Sequence, residues 1–178
     1  EFIINKDCGI GFPAQISFND TAAHFCPLAD DDREFTDKDV IKLDIGVHVE
    51  GYIADNAMTV DLSGKYTDLV KASRDALNNA LKIIKPGVKI GDIGAVIGKT
   101  ITDLGFKPVV NLSGHGLGHY KIHTSPTIPN FDNGNDNTLE EGDTIAIEPF
   151  ATDGVGKIYG AGSPTVFTLT VDRNVRSP

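Results

Sequence analysis

The chain has 178 residues, 40% of them apolar and 23% charged, a balance that suits one domain burying roughly 70% of its unfolded surface. A formal charge of −9 leaves no basic stripe to replace phosphate counterions, so nucleic acid is not expected as a partner. Cys8 and Cys26 are too few to staple a secreted scaffold, and no apolar run approaches the roughly 20 residues of a membrane span, so the expectation is a reduced, cytoplasmic chain that does not meet the membrane. The acidic surplus suits recruitment of cations, such as metal ions or a free amino group. Residue one is Glu, not Met, and the sequence stops at Arg176-Ser177-Pro178 just after a strand-like run, which suggests a piece of a longer protein.

Residues 10–18 read as a strand and residues 40–62 as a hairpin. From 67 to 85 the apolar positions Leu69, Val70, Ala76, Leu77, Ala80, Leu81 and Ile84 recur at helical spacing, up to the breaker pair Pro86-Gly87. A second helix is predicted over 91–104, with Ile93, Val96, Ile97, Ile101 and Leu104 inward and Gly105 as its stop. Strand signals return at 107–112, 144–149 and 164–171, while 129–141, rich in Asn, Asp and Gly, reads as a surface loop. Strands before, between and after a helix pair predict an α+β domain with no linker to split it.

The hairpin carries the first chemical signal. In Lys42-Leu43-Asp44-Ile45-Gly46-Val47-His48-Val49 the apolar residues alternate with the others, and Glu50-Gly51 can form a two-residue turn. Val49 then opposes Tyr52, Gly46 opposes Asp55, and Asp44 opposes Ala57, so Asp44 and Asp55 are diagonal neighbours on one face. Two carboxylates about 5–6 Å apart repel by about 3 kcal/mol at an effective dielectric near 20. A cation between them removes that cost, so the pair points to a metal.

Three of the five histidines follow at 115, 119 and 123. Spacing of four suggests a helical zinc face, but Gly114, Gly116 and Gly118 each cost about 1 kcal/mol in a helix, which excludes one. The glycines instead predict a backbone passing close to something bound. His115 lies inside this cluster and His123 ends the short extended run Tyr120-Lys121-Ile122. A lone histidine of this kind is more often structural, but beside an acidic pair neutral imidazole becomes a matching ligand. In Thr144-Ile145-Ala146-Ile147-Glu148-Pro149, Glu148 points off an otherwise apolar strand end. It is either exposed to solvent or needs a partner. His24 alone reads as an exposed histidine on a short helical turn.

Together, Phe12-Pro13, Ala22-Ala23-His24, the Asp44/Asp55 pair, Leu112-Ser113-Gly114-His115, Tyr120-Lys121-Ile122-His123 and Ala146-Ile147-Glu148-Pro149-Phe150-Ala151 resemble the type 2 methionine aminopeptidases. Their pita-bread fold is shared with prolidase and creatinase. The Tyr-Lys-Ile-His run and Ile128-Pro129-Asn130 carry the type 2 likeness. The resemblance covers almost the whole chain and implies a curved antiparallel sheet covered by helices, incomplete at the carboxyl end, with 1–178 a single, truncated catalytic domain. It implies a hydrolase that removes initiator methionine from nascent, including ribosome-associated, proteins with two divalent ions (cobalt, manganese, iron or zinc). Asp44 would chelate one ion and Asp55 bridge two, with His115 and Glu148 on the other. The family's fifth ligand is a Glu, and no Glu follows Glu148 here. By the same resemblance Glu148 would relay a proton, His24 and His123 would hold the peptide and stabilise developing charge, and Phe12 and Ile122 would help line an apolar methionine pocket. The alternatives are a non-catalytic pita-bread module that binds a protein or peptide, and a proline-specific peptidase on the same fold.

Overall fold

A three-stranded antiparallel sheet opens the fold, in the order β1 (Gly9–Phe18), β2 (Val40–Val49), β3 (Tyr52–Asp61). The computed structural model describes residues 3–162, 164–169 and 171. Glu50 and Gly51 both take positive φ, 49° and 88°, as a two-residue primed turn requires. That turn sets the register: Val49 pairs with Tyr52, Gly46 with Asp55 and Asp44 with Ala57. Gln15 of β1 opposes Asp44 from the other side. The sheet's inner face thus holds Gln15, Asp44 and Asp55. Its outer face carries Ile10, Val49, Tyr52, Met58 and Val60, all substantially exposed.

Helices α1 (Thr67–Leu81) and α2 (Ile90–Asp103) follow. The core is built where Ala76 and Ala80, one helical turn apart, let α1 lie close to Ile90, Ile93, Ile97 and Ile101 of α2. α1 stops four residues short of the expected 85, because the amides of Lys82 and Ile83 fold back onto the carbonyl of Ala80 in a tighter last turn. Leu104, expected inside, is 42% exposed just beyond the end of α2. No helix of the described residues is long and apolar enough to cross a membrane.

The second half is mostly short strands. β5 (Ser113–Gly118) sits between β6 (Lys121–Pro129) and β7 (Ile145–Ala146), while β4 (Lys107–Pro108) pairs with β8 (Ala151–Thr152). Two expectations need correction here, and a third gains detail. The strand signals at 107–112 and 144–149 yield only two paired residues each. The apolar run at 164–171 forms no strand among its described residues, with Phe167 and Leu169 82% and 80% exposed, and Thr170 lies outside them, as does Arg176-Ser177-Pro178. The polar stretch at 129–141 is a mostly exposed loop, but it is pinned to the rest of the fold. Pro129 ends β6, Asn130 and Leu139 are buried, and the carbonyls of Asn137 and Asn135 accept from the first amides of α2, Ile90 (2.8 Å) and Gly91 (2.9 Å). A Cβ on Gly94 would lie 2.2 Å from the Phe131 carbonyl oxygen, so this segment packs directly on the helix backbone.

The glycines around His115 have a related explanation. A Cβ on Gly114 would meet the Ala146 carbonyl oxygen at 2.2 Å, and one on Gly116 the Ser125 carbonyl oxygen at 2.0 Å. What passes close at Gly114 and Gly116 is the backbone of the two neighbouring strands.

Candidate metal centre

The β2–β3 hairpin and the β5–β6 hairpin bring their inward side chains together. His115 Nε2 lies 2.9 Å from Glu148 Oε1 and 3.5 Å from Asp55 Oδ2, and the three donor atoms stand within 4.8 Å of one another. Glu148 sits two residues past β7, half-buried. Asp44, on β2, faces Asp55, and its Oδ1 is buried with no hydrogen-bond partner.

The tautomer of His115 follows from its other nitrogen. Nδ1 lies 3.1 Å from the Gly116 carbonyl oxygen, which can only accept, so Nδ1 carries the proton. In a neutral ring Nε2 then turns a lone pair toward two carboxylates. Three acceptors facing one another, with a fourth orphaned beside them, need a proton or a cation among them, and the imidazole–carboxylate donor set matches a divalent transition-metal ion. The Nδ1–H to carbonyl contact is the outer support that metal-binding histidines use.

Without a cation the acids hold their protons to higher pH than ordinary carboxyls. Burial, then the charge of Asp55, lifts the Asp44 carboxyl from 3.8 to about 6. Burial raises Asp55, against the opposing pull of His115. Burial also lifts Glu148 from 4.5 to about 7, with His115 opposing and Asp55 and Asp44 reinforcing. Folded values above the ordinary ones mean the folded chain keeps protons that the unfolded chain has released between about pH 4 and 7, so these groups cost stability as pH rises through that window. The metal-free Asp44→Asn protein should therefore gain about 1–2 kcal/mol over its parent between pH 4 and pH 7, after discounting for solvent screening of a half-buried group. Urea unfolding at the two pH values measures this, and a gain independent of pH would refute it.

The site opens into a cavity of about 570 Å³ lined by His24, His115, His123, Glu148, Thr124 and Phe150 among others. His123 meets His115 edge-on, with ring centroids 4.4 Å apart. Its own pKa is lowered by burial and then by the neighbouring His115 and His24, which favours the neutral ring. His24 adopts left-handed φ of 65° in an irregular segment, not the helical turn expected for it, and its amide donates to Gln15 Oε1 at 3.0 Å. Gln15 was not singled out in the sequence, where one amide in a strand carries no signal. It becomes informative through its register with Asp44 and its 9% exposure.

Phe12 and Ile122 are not among the residues lining the cavity. The Phe12 ring lies over Gly46, where a Cβ would come within 2.3 Å of it. Ile122 neighbours His123 along β6 and so points to the other side of that strand.

Residues 2–170 match the model of metallopeptidase family M24. The chain is 49% identical over 99% of its length to a methionine aminopeptidase of Archaeoglobus fulgidus and 46% identical over its whole length to one of Methanocaldococcus jannaschii, and it spans 62% of each. A solved methionine aminopeptidase of Thermotoga maritima superposes with a TM-score of 0.75 at 31% identity, over 86% of this chain and 62% of that one. One of Rickettsia prowazekii gives 0.82 at 26%, over 93% and 70%. A prolidase of Pyrococcus furiosus, at 24% identity and a TM-score of 0.64, shares the fold, so the α+β architecture is that of the pita-bread proteins. With its family model matched over nearly all its length, this chain belongs to metallopeptidase family M24.

Proposed function

We propose that the chain is the greater part of a type 2 methionine aminopeptidase, with 1–178 inside its one catalytic domain, that frees initiator methionine from peptide and protein amino termini. The reading rests foremost on the convergence of His115 Nε2 with Asp55 and Glu148, beside the orphaned Asp44 Oδ1. Near-half identity to methionine aminopeptidases supports the substrate.

Asp44, Asp55, His115 and Glu148 would hold two divalent ions of the cobalt, manganese, iron or zinc kind. Such ions lower the pKa of water and polarise a peptide carbonyl. Glu148 would take the proton of the attacking water at a carboxylate oxygen and return it to the leaving amine. Neutral His123 would donate from its ring to the carbonyl oxygen as negative charge grows there, with His24 holding the peptide backbone beside it. The clustered carboxylates favour a free α-amino group over an internal peptide bond, which limits cleavage to the first residue.

The test uses full-length protein, the peptide Met-Ala-Ser and each divalent ion in turn. Free methionine should appear with at least one ion and vanish on chelation. None with any ion would overturn the reading. Release from an Xaa-Pro peptide but not from Met-Ala-Ser would point to the proline-specific alternative. No strong metal site by calorimetric titration, and no change in Asp55→Asn, with neither peptide cleaved would point to a binding module.

A further inference from the structure

Two hairpins supply the site from opposite sides, yet they belong to separate sheets. Asp44 and Asp55 stand in the order β1-β2-β3, His115 and His123 in the order β6-β5-β7, and β3 is not hydrogen-bonded to β5. The ladders therefore do not fix the distance between Asp55 and His115. Beyond the ladders, the two turns touch one another directly.

At those tips Glu50-Gly51 meets His119-Tyr120. The Tyr120 amide donates to the Gly51 carbonyl at 2.9 Å, and His119 Nε2 donates to the Glu50 carbonyl at 2.8 Å. The Gly51 amide in turn donates to His48 Nδ1 at 3.2 Å. Rings close the gaps: Tyr120 stands edge-on to His48 at 5.2 Å, and His119 packs on Tyr52 at 5.3 Å and on Tyr120 at 4.7 Å. The fit leaves no slack at Gly51, where a Cβ would lie 2.4 Å from the Tyr120 ring and 2.7 Å from His119 Nε2. Glu50 and Tyr120, neither a glycine, are held at φ of 49° and 54°, a local cost that surrounding contacts must offset.

From this clasp the strands run about 10–13 Å to the ligands, Tyr52 to Asp55 on one arm and His119 to His115 on the other. We propose that His119 and Tyr120 are positioning residues: by locking the two turns together they set the separation of Asp55 from His115, and with it the affinity for the metal. The proposal rests on the metal-centre reading above. Groups hydrogen-bonded directly to a metal ligand typically change affinity about 10–100-fold, and a clasp acting through the strands should fall at the lower end of that span.

The experiment titrates Co²⁺ into metal-free, full-length protein by calorimetry and follows urea unfolding of the same samples. His119→Ala should weaken Co²⁺ binding about tenfold or more while the metal-free unfolding midpoint stays close to that of the parent. His119→Gln should restore affinity, because its side-chain amide can donate to the Glu50 carbonyl. Tyr120→Leu, which keeps the backbone bond but removes the ring packed on His48 and His119, should fall between. Cleavage of Met-Ala-Ser by His119→Ala should recover at saturating Co²⁺, as a pure affinity effect requires. Parental affinity in His119→Ala, or a loss that merely tracks destabilisation with Gln no better than Ala, overturns the clasp alone. If the parent itself takes up no Co²⁺, the metal-centre reading falls and the clasp's role falls with it.

Discussion

Glu148→Gln should cut methionine release about 10²–10⁴-fold, the span a positioned proton-transfer group contributes, and should leave the fold intact. Gln keeps the volume and one acceptor oxygen but cannot take a proton at neutral pH or hold a full negative charge. In the parent the carboxyl lies 2.9 Å from His115 Nε2 and is lifted to about 7 by burial, so the site accommodates a neutral group there without rearranging. The substitution also removes charge from the proposed metal site, and the assay must therefore run at saturating metal. Turnover within tenfold of the parent under those conditions would take Glu148 out of the reaction.

The largest structural effect should come from one methyl group. Gly116→Ala would place a Cβ 2.0 Å from the Ser125 carbonyl oxygen and 2.6 Å from Thr124 Oγ1. β6 cannot retreat, because Thr124 pairs with Gly116 and Thr127 with His115 in the same ladder. Overpacking of this kind costs about 1–3 kcal/mol, and more where the neighbour is backbone. The cost falls beside His115, so Co²⁺ uptake should fail together with stability. Gly160→Ala is the control: it meets nothing within 4 Å and should stay within about 0.5 kcal/mol of the parent in urea unfolding. A Gly116→Ala protein as stable as that control would mean that β5 and β6 are not so closely apposed.

How much could be read from the residues depended on whether the signal was local. The β2–β3 pairing was legible, because strict alternation and a Glu-Gly turn leave one register, and that register puts both aspartates on one face. The helix faces were legible for the same reason, except at Leu81, 54% exposed at the end of α1, and at Leu104, where periodicity outlasts the helix. Strand β6 was not. Pro126 and Pro129 argue against a nine-residue strand, but β6 lies at the edge of its sheet, where a missing amide is tolerated. The segment around Asn135 and Asn137 reads as solvent-facing by composition, and only packing reveals that its carbonyls cap α2. His119 and Tyr120 looked like filler between two site histidines. Their partners are about seventy residues away in the chain, and no pattern within a window could have joined them.

The turn at Glu50-Gly51 has a consequence for how this hairpin can change over time. Successive residues of a strand look in opposite directions, so a single amino acid added or lost between Asp44 and Asp55, unless a bulge or a longer turn absorbs it, would turn one carboxylate outward while leaving every ligand in the text of the gene. Gains or losses in pairs would keep both carboxylates on one face, though they would move the turn away from its contacts with His119 and Tyr120. What descends through such a lineage is therefore the parity of the interval, a constraint that a tally of retained aspartates would overlook.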